Sequence, residues 1–250
     1  MPSAHAVLSA STTRPSSKSC SRSWLTLRNL KCRRLHVDEV WAFVYANQKN
    51  VPEEMKGTFG VGDVWTWVAI DADTKLVPSW AVGRRDAFTA NAFMLDVADR
   101  LATRVQLTSD GHKQYLEAVE GAFGNSIGYA MLVKTYEGDS GKRASAKQRY
   151  SPAKCTGARQ VKITGNPDER HISTSFVERQ NLTMRMSMRR FTRLTNAFSK
   201  KLDNHKAAVA FYTMWYNFAR IHQTLRVTPA MEAGISDHVW SAEETARLAE

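Results

Sequence analysis

Between Leu35 and Gly83, three stretches rich in β-branched and aromatic residues follow one another: LHVDEVWAFVY, VWTWVAIDADT and LVPSWAVG. Runs of this kind read as strands, and the turn chemistry of VPEEMKGTFGVGD between the first two makes an antiparallel meander the expectation. In the second run Trp65, Trp67 and Ala69 fall on one face and Val64, Val68 and Ile70 on the other. That pattern suits a central strand covered on both sides. Pro78 puts the third strand at an edge or a bulge. The chain then changes period. TANAFMLDVADRLATR places apolar residues at 93, 94, 97, 98 and 101, which is helical spacing, with Thr89 as the candidate N-cap. VQLTSD is a short strand ending at Asp110, QYLEAVEGAFG a second helix closed by Gly121 or Gly124, and IGYAMLVKTY a fifth strand. Three antiparallel strands followed by helix–strand units predict an α/β fold with a mixed five-stranded sheet flanked by helices.

The flanking segments have a different texture. Residues 1–30 have no period and few apolar anchors and read as a disordered or non-native leader. Residues 138–170 or so are polar and basic, a long loop-like insert of the kind that is usually functional or disordered in a compact domain. A helix is expected from about Ser173 to Leu194, another over about Asn204 to Arg220, and a terminal one in SAEETARLAE. The division that follows is a leader at 1–30, a core domain at 31–200 containing the insert, and a C-terminal helical extension at 201–250.

Charge is unevenly spread. Residues 38–140 carry 9 Lys/Arg against 15 Asp/Glu, whereas residues 141–200 carry 14 against 3. An acidic body beside so basic a segment points to a polyanionic partner, nucleic acid first. Three cysteines, an odd number without a CxxC pair, indicate neither a disulfide framework nor a zinc ribbon, and point to reduced thiols in a cytoplasmic protein. No apolar run approaches the ~20 residues of a membrane span.

Inside the basic segment HISTSFVERQNLTMRMSMRRFTRLT a single carboxylate, Glu178, sits among Arg179, Arg185, Arg189, Arg190 and Arg193. Helix-dipole pairing explains its presence but not its isolation. Two other carboxylates are placed where chemistry is found. Asp38 falls mid-strand, sharing a face with Val40, Ala42 and Val44, where a charge is costly unless it is paired or binds metal. The competing structural reading is an arginine-paired Asp, or a register that exposes Glu39. Asp110 ends a strand before Gly111, and strand carboxyl ends border ligand crevices in α/β sheets, although an Asp–Gly turn is the common alternative. First strand, fourth strand and late helix can bring the three to one sheet edge. Oxygen donors suit hard cations such as Mg²⁺, and two such ions ~3.5–4 Å apart serve phosphodiester chemistry.

Four blocks in order, RNLKCRRLHVDEVWAFV, LTSDGHKQYLEAV, TSFVERQNLTMRMSMRRFTRLTNAFSKK and FYTMWYNFARIHQTLRVTPAMEAGI, resemble the DDE transposases of bacterial insertion sequences, nearest the insertion-sequence-one type. The resemblance covers roughly residues 28–235. It implies a ribonuclease-H-like core with Asp38, Asp110 and Glu178 as the metal-binding acidic triad, Mg²⁺ as cofactor and Mn²⁺ as its substitute. It also implies cleavage of DNA at element ends, strand transfer of the freed 3′-hydroxyl into double-stranded target DNA, and a homo-oligomer in the DNA complex. A nucleoid-associated location follows from such a partner. The five arginines around Glu178 are expected on DNA. So are Lys142, Arg143, Lys147 and Arg149 of the insert, and Arg220 and His222 after the aromatic run FYTMWYNF. His112 is either a phosphate contact or a turn residue. Asn181 and Arg185, at i+3 and i+7 from Glu178, either orient it or bind DNA. The aromatics at helical spacing are read first as core. This family carries a DNA-binding region before its catalytic core, and residues 1–27 do not resemble one. The expectation is a shortened or fused start and DNA binding with little sequence preference. The rival readings are a non-catalytic DNA-binding remnant that interferes with the full enzyme, and a ribonuclease-H-type or resolvase-type nuclease.

Overall fold

In the computed structural model, residues 27–136, 155–192 and 195–247 are described. Strands β1 (Arg34–Val44), β2 (Gly62–Asp71) and β3 (Ser79–Gly83) form the antiparallel meander. Helix α1 (Ala87–Arg100), strand β4 (Gln106–Ser109), helix α2 (Gln114–Phe123) and strand β5 (Gly128–Tyr136) follow. Both β1–β4 and β4–β5 are parallel pairs. A further strand, β6 (Cys155–Thr164), closes a six-stranded mixed sheet of order β3-β2-β1-β4-β5-β6. Helices α3 (Ser175–Ser187), α4 (Leu202–Met214), α5 (Pro229–Glu232) and α6 (Ala242–Arg247) complete the chain.

The sheet therefore has one strand more than the five expected. Strand β6 lies within the stretch read as a loop-like insert and pairs antiparallel with β5. Its residues are exposed almost throughout, so neither face needs apolar side chains. An edge strand held mainly by backbone pairing, with Val161 packed against the core, leaves no alternation to read. The other edge is β3, next to Pro78.

Two apolar layers sandwich the sheet. Val37, Trp67, Phe93, Val97, Leu107, Tyr115 and Tyr129 pack on the side of α1 and α2. Val40, Val68, Ile70, Val177, Met184, Val209 and Tyr212 pack on the side of α3 and α4. The alternation in β2 thus maps onto two real layers. Helix boundaries differ from the periodic reading in three places. Asp86, not Thr89, caps α1: its carboxylate accepts from the Thr89 amide at 2.9 Å and from the Thr89 hydroxyl at 2.8 Å. Helix α3 stops at Ser187, and a 3₁₀ turn at Arg189–Phe191 swings Phe191, 1% exposed, into the core against His205. Helix α4 runs into a π turn, Trp215–Ala219, where buried Asn217 accepts from the Val77 amide at 3.0 Å and donates to the Val77 carbonyl at 2.9 Å. That reciprocal pair ties the aromatic run to the β2–β3 connection.

Candidate metal centre

The parallel register of β1 and β4 positions the first two carboxylates. The last pair is Val37 with Ser109, so Asp38 and Asp110 are the next residue on each strand. Beyond Ser109 the chain leaves β4 for the turn before α2, and the edge of β1 is open there. Oxygens of Asp38, Glu39 and Asp110 all lie within 4.8 Å of one another. Each is held. Asn181 Nδ2 of α3 donates to Asp38 Oδ2 at 2.8 Å, and the His112 amide donates to Asp110 Oδ1 at 2.9 Å. Arg85 Nη2 sits 3.1 Å from Glu39 Oε2 and 3.8 Å from Asp110 Oδ2, with its guanidinium 4.7 Å over the Trp65 ring.

Three carboxylates so close repel one another. Burial, then the charge of Asp110, pushes the Asp38 carboxyl up to about 7. The same two causes in the same order push Glu39 up to about 7. The Glu39 side chain is 1% exposed, and its Oε1 has no well-formed hydrogen bond. The Tyr115 hydroxyl is buried beside it, and its interaction with the carboxylate partly offsets that upward push. An all-oxygen donor set of three carboxylates, two of them sharing one arginine, fits a hard divalent cation.

Glu178 is placed differently. It lies in the first turns of α3, accepts from the Thr174 hydroxyl, and is ion-paired with Lys134 of β5. Its charge adds to the upward push on Asp38, yet its carboxylate is outside the group of three. Glu39 and Arg85 were not singled out from the sequence. Glu39 entered only in the competing reading, as the exposed residue of one register; it is buried, and it rather than Asp38 is paired with an arginine. Asn181 orients Asp38 rather than Glu178.

The predicted cations divide into four groups. Arg179, Arg185 and Arg189 are exposed. Arg190 is tied into the fold, donating to Ser199 Oγ at 2.7 Å and to the Asn204 carbonyl at 3.2 Å. Lys142, Arg143, Lys147, Arg149 and Arg193 lie outside the described residues. Arg220 packs 5.5 Å over Trp215 and 5.9 Å over Tyr216. Burial, then the charges of Lys75, Arg220 and Arg179, lowers the pKa of His222, so these cations share one surface. Lys75 joins it from the β2–β3 turn at φ +61°, with its ammonium 3.5 Å over the Phe176 ring. His112 is half-buried, with its ring 5.8 Å from Trp67 and 6.0 Å from Tyr115. In the aromatic run Tyr212, Tyr216 and Phe218 are buried, while Phe211 is 63% exposed.

Cys32 and Cys155 are free thiols. Among the described residues no helix is long and apolar enough to cross a membrane. No protein-family model and no curated protein matches the sequence. Among solved structures, the chain is similar to a piggyBac transposase in its synaptic complex with hairpin DNA, with a TM-score of 0.35 and 11% identity, over 88% of this chain and 52% of that one. The chain therefore spans about half the length of the transposase it matches.

Proposed function

We propose that the chain is the ribonuclease-H-like catalytic core of a DDE-type transposase, nearest the insertion-sequence-one type. It cleaves DNA phosphodiesters at element ends and transfers the freed 3′-hydroxyl into double-stranded target DNA, as a homo-oligomer. The observation that carries this reading is the juxtaposition of Asp38 and Asp110 on neighbouring parallel strands, with carboxylate oxygens within 4.8 Å. Asp38, Asp110 and Glu178 would hold Mg²⁺, or Mn²⁺ in its place. Such ions, when bound, lower the pKa of water and offset charge on the attacking and leaving oxygens.

The chain's own residues do the rest. Asn181 fixes the rotamer of Asp38, and the His112 amide fixes that of Asp110. Arg85 offsets the charge of Glu39. Lys75, Arg179, Arg220 and His222 offer donors to the phosphates of a strand crossing α3, and such contacts make affinity fall steeply with salt. In the first reaction water adds to phosphorus and the bond to the 3′ oxygen breaks. In the second, that 3′-hydroxyl adds to a target phosphorus and a target 3′ oxygen leaves.

One observation favours a second reading, a non-catalytic DNA-binding remnant that interferes with the full enzyme: the Lys134 ion pair keeps Glu178 out of the carboxylate group. Nicking of supercoiled DNA in Mn²⁺ separates the two. On the transposase reading the wild-type chain nicks, Glu178→Gln loses roughly a hundredfold in rate, and Glu39→Gln loses less than about tenfold. If Glu39→Gln abolishes nicking while Glu178→Gln keeps it, the third ligand is Glu39. A wild-type chain that binds DNA without nicking it is the remnant.

A further inference from the structure

The connection between β1 and β2, residues 45–61, carries an aromatic ring out into solvent on a backbone shaped to hold it there. Gly60 and Gly62 have φ of +86° and +91°, in the region glycine enters without a steric penalty. At Gly62 a Cβ would lie 2.1 Å from Gln48 Oε1, so the approach of that amide depends on the glycine. Gln48 and Asp63 lock the two strand ends together. The Asp63 amide donates to Gln48 Oε1 at 3.1 Å, and the Gln48 amide donates to Asp63 Oδ1 at 3.4 Å. On this loop Phe59 is 53% exposed.

Two cations attend the ring. The Arg84 guanidinium carbon and the Lys206 ammonium each lie 5.8 Å from its centroid. Arg84 Nη2 also donates to the Gly57 carbonyl at 3.0 Å, which fixes that cation to the loop. Gln48, Thr58, Phe59, Asp63 and Arg84 line an open cavity of about 290 Å³. The cavity thus offers an aromatic ring, a polar edge with an amide and a carboxylate, and the positive charge of Arg84, while Lys206 adds a second charge beside the same ring from outside the cavity lining.

A nucleobase with its adjoining phosphate has the complementary set: a flat π face, a donor and acceptor edge, and a negative charge next to it. We infer that this cavity holds one unpaired base of a DNA strand, with Phe59 as the stacking platform and Arg84 and Lys206 on its phosphate. The inference rests on the DNA reading above and adds a single-strand subsite to it. Its location fits that use. Arg84 is next in sequence to Arg85, which lies 3.8 Å from Asp110 Oδ2. Asp38 pairs with Val68, four residues along β2 from Val64 at the cavity wall, a separation of about 13 Å at the usual strand rise. A base held there belongs to the same strand segment as a phosphodiester at the carboxylates.

The test compares a blunt duplex with one carrying a two-nucleotide overhang that contains 2-aminopurine, in Ca²⁺ to hold off cleavage. The wild-type chain binds the overhang duplex about fivefold or more tightly than the blunt one, and 2-aminopurine fluorescence is quenched by stacking. Phe59→Ala removes both the quench and the preference with the circular dichroism spectrum intact, and Phe59→Trp keeps both. A quench and preference that survive Phe59→Ala overturn the cavity assignment and leave the transposase reading standing, as does a wild-type chain that binds both duplexes equally without quenching. A wild-type chain that binds neither duplex overturns both.

Discussion

Asp110→Asn lowers Mn²⁺-dependent nicking of supercoiled DNA by roughly a hundredfold, the scale set by removing one charged group from a preorganised site. The substitution is chosen for what it keeps. The amide oxygen of asparagine still accepts from the His112 backbone amide, now at 2.9 Å from Asp110 Oδ1, so the turn before α2 holds its shape. What it removes is one anionic oxygen donor and one negative charge. DNA affinity measured in Ca²⁺ by fluorescence anisotropy stays the same or rises, because a charge that repels phosphate is gone. Equal loss of nicking and binding would instead mean that Asp110 supports the fold of a DNA-binding surface.

The second large effect is on stability. Asp38 and Glu39 both have carboxyls pushed up to about 7, so between about pH 4 and 7 the folded chain binds protons that the unfolded chain has released. Stability of the metal-free chain from these two groups is therefore highest below about pH 4, and is lost as pH rises through 7. A divalent ion reverses that slope, since it binds the ionised form. At a Mn²⁺ concentration of about 100 Kd the gain is about 2.7 kcal/mol, or roughly 5–10 °C in thermal midpoint for a chain of this size. The midpoint shift produced by Mn²⁺ is larger at pH 8 than at pH 5.5. In Asp110→Asn the metal-free midpoint at pH 8 rises, because the charge that helps raise both neighbours is absent, and the Mn²⁺ shift shrinks. Equal Mn²⁺ shifts at the two pH values, or in the two proteins, would contradict a site built from these carboxylates.

Which parts of this were legible in the sequence follows from where the constraints act. The meander was readable because Trp65, Trp67, Val64 and Val68 must fill two layers at once, and that burial leaves a periodic trace. Strand β6 buries little beyond part of Val161, so its backbone pairing with β5 left no such trace. Asp38 and Asp110 stood out as a charge on an apolar strand face and a charge at a strand end. Their closeness depends on the pairing of Val37 with Ser109, a tertiary register that no local pattern encodes. Glu39 was hidden by its neighbour. In an alternating strand the residue after an inward acid is assigned to water, but here the far face is covered by α1 and α2 and its charge is met by Arg85. Arg190 was misplaced for a related reason. Continuing α3 past Ser187 keeps it on a helical surface, whereas the 3₁₀ turn rotates it toward Ser199 and Asn204.

Crystals grown with Mn²⁺, and measured at the manganese absorption edge, show directly whether the Asp38 and Asp110 carboxylates hold a metal ion. An anomalous peak is expected at on the order of 2 Å from one oxygen of Asp38 and one of Asp110, the coordination distance of a small hard cation. Manganese found only elsewhere on the surface, with Asp38 and Asp110 still side by side and unliganded, would contradict a metal site there.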